Sequence, residues 1–157
     1  MEALNLDVNQ YLTFSLNEET FGVDVLQVRE VMDFTSVTKV PRSPDYMLGV
    51  INLRGSVVPV VDLKKKFAMP GKEISRDSCI VVLEIGLADE QILIGALADG
   101  VQEVLDLVED QIEPAPRLGT GLNADFILGM GKVNEEFVIL LDLQKIFTSE
   151  ELESLAE

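Results

Sequence analysis

The chain of 157 residues carries 28 Asp and Glu, 12 Lys and Arg, one cysteine and no histidine. Any acid–base chemistry therefore rests mainly on carboxylates. Two of them invite comparison: Asp62 follows Val58-Pro59-Val60-Val61, and Asp142 follows Val138-Ile139-Leu140-Leu141. Equivalent carboxylates brought together could share a proton or hold a divalent cation. Each aspartate also stands where the N-cap of a short helix belongs, a role that needs no partner and accounts for both at once. Helix capping is the expectation; a carboxylate-dependent hydrolase or divalent-cation-binding protein built on Asp62 and Asp142 is the alternative.

Other chemistry is sparse. Without histidine there is no Ser-His or Cys-His pair, and the commonest zinc ligand is missing. Cys79 opens the apolar run Cys79-Ile80-Val81-Val82-Leu83 and reads as a buried strand residue. Gly71-Lys72-Glu73 and Gly131-Lys132-Val133 lack the upstream glycine and the Ser or Thr of a phosphate loop. Neither a Gly-x-Ser-x-Gly elbow nor an Asp-rich calcium loop occurs. The expectation is a protein that is not an enzyme, with no catalytic residue, no metal and no cofactor. The net charge of 12 − 28 = −16 opposes phosphate backbones and anionic lipid heads, which argues against nucleic acid or a membrane surface as partner. The first twenty residues hold no basic residue, and no apolar stretch approaches the ~20 residues of a membrane span. A cytoplasmic protein without membrane insertion is expected.

The elements that would position a site repeat. Residues 45–67 lie ungapped on 125–147 at an offset of 80, with Asp45, Leu48, Gly49, Val58, Asp62, Leu63, Lys65 and Phe67 meeting identical residues. Residues 21–34 lie on 94–107 at an offset of 73, matching Gly22, Val28, Glu30, Val31 and Asp33. The seven extra residues of the second half belong in the Pro- and Gly-rich stretch 113–123. The halves run from about 11–67 and 79–147 within a single domain, 1–157.

Each half reads as about five short strands. Hairpins are expected at 11–16 with 20–25, at 78–85 with 91–98, at 49–54 with 56–61 and at 129–134 with 136–141. Val25, Val28, Val31 and Met32 at near-helical spacing predict a helical turn over 25–32, with a strand near 34–40. Ser43-Pro44 reads as a helix start and Gly49 as its left-handed C-cap; Asn123 and Gly129 repeat the pattern. Lys64-Lys65-Lys66 reads as a solvated face, and Thr148 to Glu151 has capping-box spacing ahead of a short, frayed C-terminal helix over 148–157. The fold class expected is mainly β: two tandem, pseudo-symmetric, five-stranded barrels sharing a core, because each half alone is marginal in size.

What the duplication did not preserve is one hairpin tip. Asn52-Leu53-Arg54-Gly55 in the first half faces Lys132-Val133-Asn134-Glu135 in the second. Glu30, whose repeat mate is Glu103, is positioned to pair with Arg54. An ordered Arg–carboxylate pair beside Leu53 has the composition of a recognition surface.

The sequence resembles the CheW family of bacterial chemotaxis coupling proteins over about residues 11–150. The residues that carry the resemblance are Phe21-Gly22-Val23-Asp24-Val25, Val28-Arg29-Glu30-Val31, Gly49-Val50-Ile51-Asn52-Leu53-Arg54-Gly55, Val58-Pro59-Val60-Val61-Asp62-Leu63, Asp99-Gly100-Val101 and Pro114-Ala115-Pro116. The resemblance implies two SH3-like barrels and a non-enzymatic adaptor that links the cytoplasmic tips of chemoreceptors to the regulatory domain of the histidine autokinase CheA, recruited to membrane-associated receptor arrays. It implies a receptor-facing groove between the barrels using Val28, Glu30, Gly49, Asn52, Leu53 and Arg54. Its kinase contacts, on both barrels, are not assigned to single residues. The Leu87-Ala88-Asp89-Glu90 loop and the Lys64 to Lys66 run depart from the family pattern.

Overall fold

The computed structural model describes residues 8–71, 74–87, 89–114, 126–148 and 150–152. The first half contains β1 (Val8–Leu16), β2 (Glu19–Asp24), β3 (Val28–Asp33), β4 (Met47–Leu53), β5 (Ser56–Asp62) and the one-turn helix α1 (Leu63–Lys66). The second contains β6 (Cys79–Leu87), β7 (Glu90–Ala98), β8 (Gly100–Val108), the two-residue β9 (Ile112–Glu113), β10 (Ile127–Val133), β11 (Glu136–Leu141) and α2 (Leu143–Ile146). The mainly β class with a few short helical turns is as the sequence implies, and all four hairpins form. The Pro- and Gly-rich stretch lies mostly outside the described residues, as does Asn123.

Assembly of these strands differs from a barrel per half. One sheet runs β8-β1-β2-β11-β10-β9 and the other β3-β6-β7-β5-β4. Each therefore takes its first hairpin from one half and its remaining strands from the other. Strands of opposite halves meet at four pairings: antiparallel β1 with β8 and β3 with β6, and parallel β2 with β11, where Gly22 faces Leu140, and β5 with β7, where Val60 faces Gly95. Gly22 and Gly95 are mates in the repeat, and both are places where a side chain would not fit. A Cβ at Gly95 would sit 2.8 Å from Ile80 Cγ2, and one at Gly22 would sit 3.0 Å from Leu140 Cδ2.

Burial explains the exchange. Tyr11, Leu107, Val138 and Leu140 fill the inside of one unit; Ile51, Val58, Val60, Ile80 and Val82 fill the other. The alternate residues, among them Leu12, Val61, Val81 and Leu141, point the opposite way into a larger core shared by both halves. Strands buried on both faces read as continuous apolar runs rather than alternating ones. Across the shared core runs a series of rings, Phe14, Phe21, Phe67 and Phe126, with successive centroids 6.2, 6.0 and 5.6 Å apart.

Four local expectations are corrected. The strand expected near 34–40 lies earlier, at β3, because the helical spacing of Val25 to Met32 is spent on a single 3-10 turn, Val25–Gln27, capped by Asp24. Only Thr38 of the later stretch bridges to a strand, at Val50. No helix starts at Ser43; the chain turns through Pro44, whose carbonyl accepts from the Met47 amide at 3.0 Å. Gly49 and Gly129 are accordingly not helix C-caps. Both lie within strands, beside bulges at Leu48 and Leu128, where the chain passes close to a neighbouring backbone.

The lysine run is likewise not a solvated face. Lys64 is buried, its Nζ 2.8 Å from Asp99 Oδ1, while the other Asp99 oxygen accepts from the Asn17 amide at 2.5 Å. Lys66 pairs with Glu151 at 2.6 Å and lies over the Tyr46 ring, leaving Lys65 exposed. Burial, with the Glu151 charge beside it, pushes the Tyr46 phenol up to about 12. Burial also pushes the Glu151 carboxyl up, but bonds from Lys66 and the Thr148 amide outweigh it and hold the group below its ordinary value. The Thr148–Glu151 capping box forms, and Leu152 is buried in the shared core.

Two stability outcomes follow. Gly95→Ala should lower unfolding free energy by about 1–2 kcal/mol in urea titration, overpacking outweighing the gain from a stiffer unfolded chain. Lys64→Met should lower it by about 3 kcal/mol by stranding the Asp99 charge, and adding Asp99→Asn should recover part of that loss.

Candidate functional site

β3 and β4 are the outermost strands of their five-stranded sheet, so curling the sheet into a barrel brings these edges toward each other. Glu30 projects from β3 and Arg54 from the tip of the β4–β5 hairpin. Arg54 Nη1 donates to Glu30 Oε2 at 2.6 Å and Nη2 to Oε1 at 3.1 Å, a two-pronged pair across the barrel mouth. The sequence places these groups in reach; the fold joins them.

Local geometry aims both. Arg54 and Gly55 have φ of 51° and 90°, a two-residue turn whose left-handed backbone suits the strand twist. The Asn52 side-chain oxygen accepts from the Gly55 amide at 2.8 Å and holds the turn. On β3, a bulge at Arg29 shifts the register so that Glu30 stands opposite Val82, and Arg29 itself pairs with Glu84. The hydrogen bond from Arg54 is the main reason that the Glu30 carboxyl lies below its ordinary value, and the same contact raises the guanidinium.

The other residues named from the sequence take distinct places. Leu53 is half-buried against the barrel core and Asn52 is exposed beside it. Val28 shares the strand of Glu30 but packs against the shared core. Gly49 is buried: a Cβ there would lie 2.3 Å from the Thr38 carbonyl oxygen, so its part is to let the chain pass. Sequence reasoning missed Val57, which is 70% exposed next to the tip and lines a shallow cleft of about 290 Å³ with Met32, Thr38, Val50 and Asn52. Its signal was present, since the repeat mate of Val57 is the larger apolar Phe137. Leu26, 87% exposed on the 3-10 turn, was also missed.

Asp62 and Asp142 are engaged in their own helices, accepting from the Lys64 amide at 3.0 Å and the Gln144 amide at 3.1 Å. Cys79 is buried, and its thiol is pushed up chiefly by that burial, which disfavours the reactive thiolate. Among the described residues, no helix is long and apolar enough to cross a membrane.

A β scaffold of two interlocked units, with an ordered ion pair displayed at one mouth, is a protein of the SH3-like double-barrel class. Residues 10–151 match the CheW-like domain, and the chain belongs to that family. It is 38% identical over 143 residues to the chemotaxis protein CheW of Klebsiella aerogenes, covering 91% of this chain and 84% of that one. It is 30% identical over 154 residues to the probable chemotaxis protein CheW of Rhizobium etli, covering 98% and 97%. The crystal structure of the scaffolding protein TtCheW from Thermoanaerobacter tengcongensis superposes with a TM-score of 0.79 at 36% identity, over 88% of this chain and 92% of that one.

Because the folded Glu30 carboxyl titrates below its ordinary value, the ion pair should persist at neutral pH and be lost as pH falls through the folded midpoint. Carboxyl-carbon NMR should place that midpoint below 4.5 and show it moving back up in Arg54→Ala.

Proposed function

We propose that this chain is a non-enzymatic adaptor that couples the signalling tips of chemoreceptors to the regulatory domain of the histidine kinase CheA, working in the cytoplasm at membrane-associated arrays. The observation that carries the reading is the Arg54–Glu30 pair, set at one barrel mouth of a CheW-family fold and absent from the equivalent place in the other. An exposed, screened pair of this kind adds little to stability. Its ordered guanidinium, beside Leu53 and Val57, suits a protein partner better than it suits the fold.

The receptor-facing surface in this reading comprises Glu30, Asn52, Leu53 and Arg54 directly. Val28 and Gly49 set the positions of the strands beneath. Signal passes as a change in how receptor and kinase pack on the scaffold, and no bond is made or broken. The hydrolase alternative draws no support from Asp62 and Asp142, whose carboxylates are committed to helix caps.

In a reconstituted mixture of receptor fragment, kinase and this protein, Arg54→Ala should weaken receptor binding by about tenfold, the loss typical of a central interface residue. Kinase stimulation should fall with it. Glu135→Ala, at the other tip, should leave receptor binding unchanged. Unaltered binding and stimulation by Arg54→Ala would show the surface to be misassigned.

A further inference from the structure

The internal repeat supplies a second copy of the barrel mouth with one component missing. The β3–β6 register sets Val31 opposite Val81, Glu30 opposite Val82 and, past the bulge, Val28 opposite Leu83. The β8–β1 register sets Val104 opposite Leu12 and Val101 opposite Phe14, with the bulge at the same place. Glu103 therefore occupies in the second barrel the position that Glu30 occupies in the first. By the offset of 80, Asn134 occupies the position of Arg54, and its φ of 49° is nearly that of Arg54.

Asn134 puts a short side chain where the first barrel has a long cation, and a cleft of about 170 Å³ lies at this mouth, lined by Thr13, Thr20, Glu103, Asn134, Phe137 and Val138 among others. Among the described residues, no basic residue lines it. Among the described residues no cation pairs with Glu103. Two further differences point the same way. Thr13 and Thr20 stand where the first barrel has Val82 and Leu93, making this interior more polar. Phe137, 48% exposed, stands where the first has Val57 and offers a flat apolar wall.

We propose that this cleft is a docking socket for an arginine side chain presented by a partner protein. The guanidinium takes the place that Arg54 takes in the other barrel, binding the Glu103 carboxylate with two donors and lying against the Phe137 ring. A planar fork fits this site better than the compact, strongly hydrated ammonium of lysine. A residue within a polypeptide fits better than free arginine, whose own carboxylate would meet Glu103 and Glu136 at the rim of a chain already at −16. The socket lies on the second barrel, so its test is independent of the Arg54 surface.

The probe is N-acetyl-arginine amide, titrated into the full chain and followed by amide NMR. Saturable shifts confined to the Thr13, Glu103, Asn134 and Phe137 neighbourhood are expected. Glu103→Gln should weaken them by about tenfold, the scale of a lost charge-assisted bond. Asn134→Arg should fill the socket from within and abolish them, while its folded spectrum elsewhere remains unchanged. Shifts spread over acidic surfaces generally, or persisting in Asn134→Arg, would overturn the proposal. An equal response to N-acetyl-lysine amide would overturn the guanidinium assignment, and tighter binding of free arginine would overturn the protein partner.

Discussion

The architecture depends on pairing between strands of opposite halves, antiparallel in β1 with β8 and β3 with β6, and closest in the two parallel passages of β11 along β2 at Gly22 and of β5 along β7 at Gly95. At each, strands from opposite halves lie against one another, and the absent side chain leaves room for the methyls of Leu140 or of Ile80 and Val60. Because each sheet is built from strands of both halves, neither half can close its barrel alone. The duplicated chain becomes one interlocked body, and residues as distant in sequence as Phe14 and Phe147 enter the same core.

Interlocking relieves a problem of size. Units of some sixty residues bury too little surface for comfortable independent stability. Here each strand of the crossing region serves two cores, one face inside its barrel and the other in the shared layer. Polar contacts are then spent on tying hairpins down. Gln144 of α2 donates to the Gly86 carbonyl and accepts from its amide, each at 3.1 Å. Its repeat mate Lys64 reaches the corresponding hairpin through Asp99, which accepts from Asn17. The same geometric task is done once by a neutral amide and once by a buried ion pair.

With the scaffold secured internally, the barrel mouths are free to diverge. Barrel curvature brings the edges β3 and β4 near one another, and Arg54 spans them to Glu30; across the other mouth Asn134 leaves the gap open. The asymmetry of the molecule therefore lies in two hairpin tips carried on repeat-related supports. In the adaptor reading proposed above, the unlike tips present different faces to different proteins.

Features set by local chemistry were legible in the sequence: four hairpins, the caps at Asp62 and Asp142, the capping box at Thr148, and the pairing of Glu30 with Arg54. Each depends on a few neighbouring residues or on the repeat. The tertiary structure decided what depends on distant partners. Lys64 looks like one of three surface lysines until Asp99 meets it 35 residues on, and Gly49 looks like a helix end until the Thr38 backbone is seen against it. Strand exchange was hidden for the same reason. A continuous apolar run records that a strand is buried on both faces, but carries no mark of which half supplies the neighbouring strand.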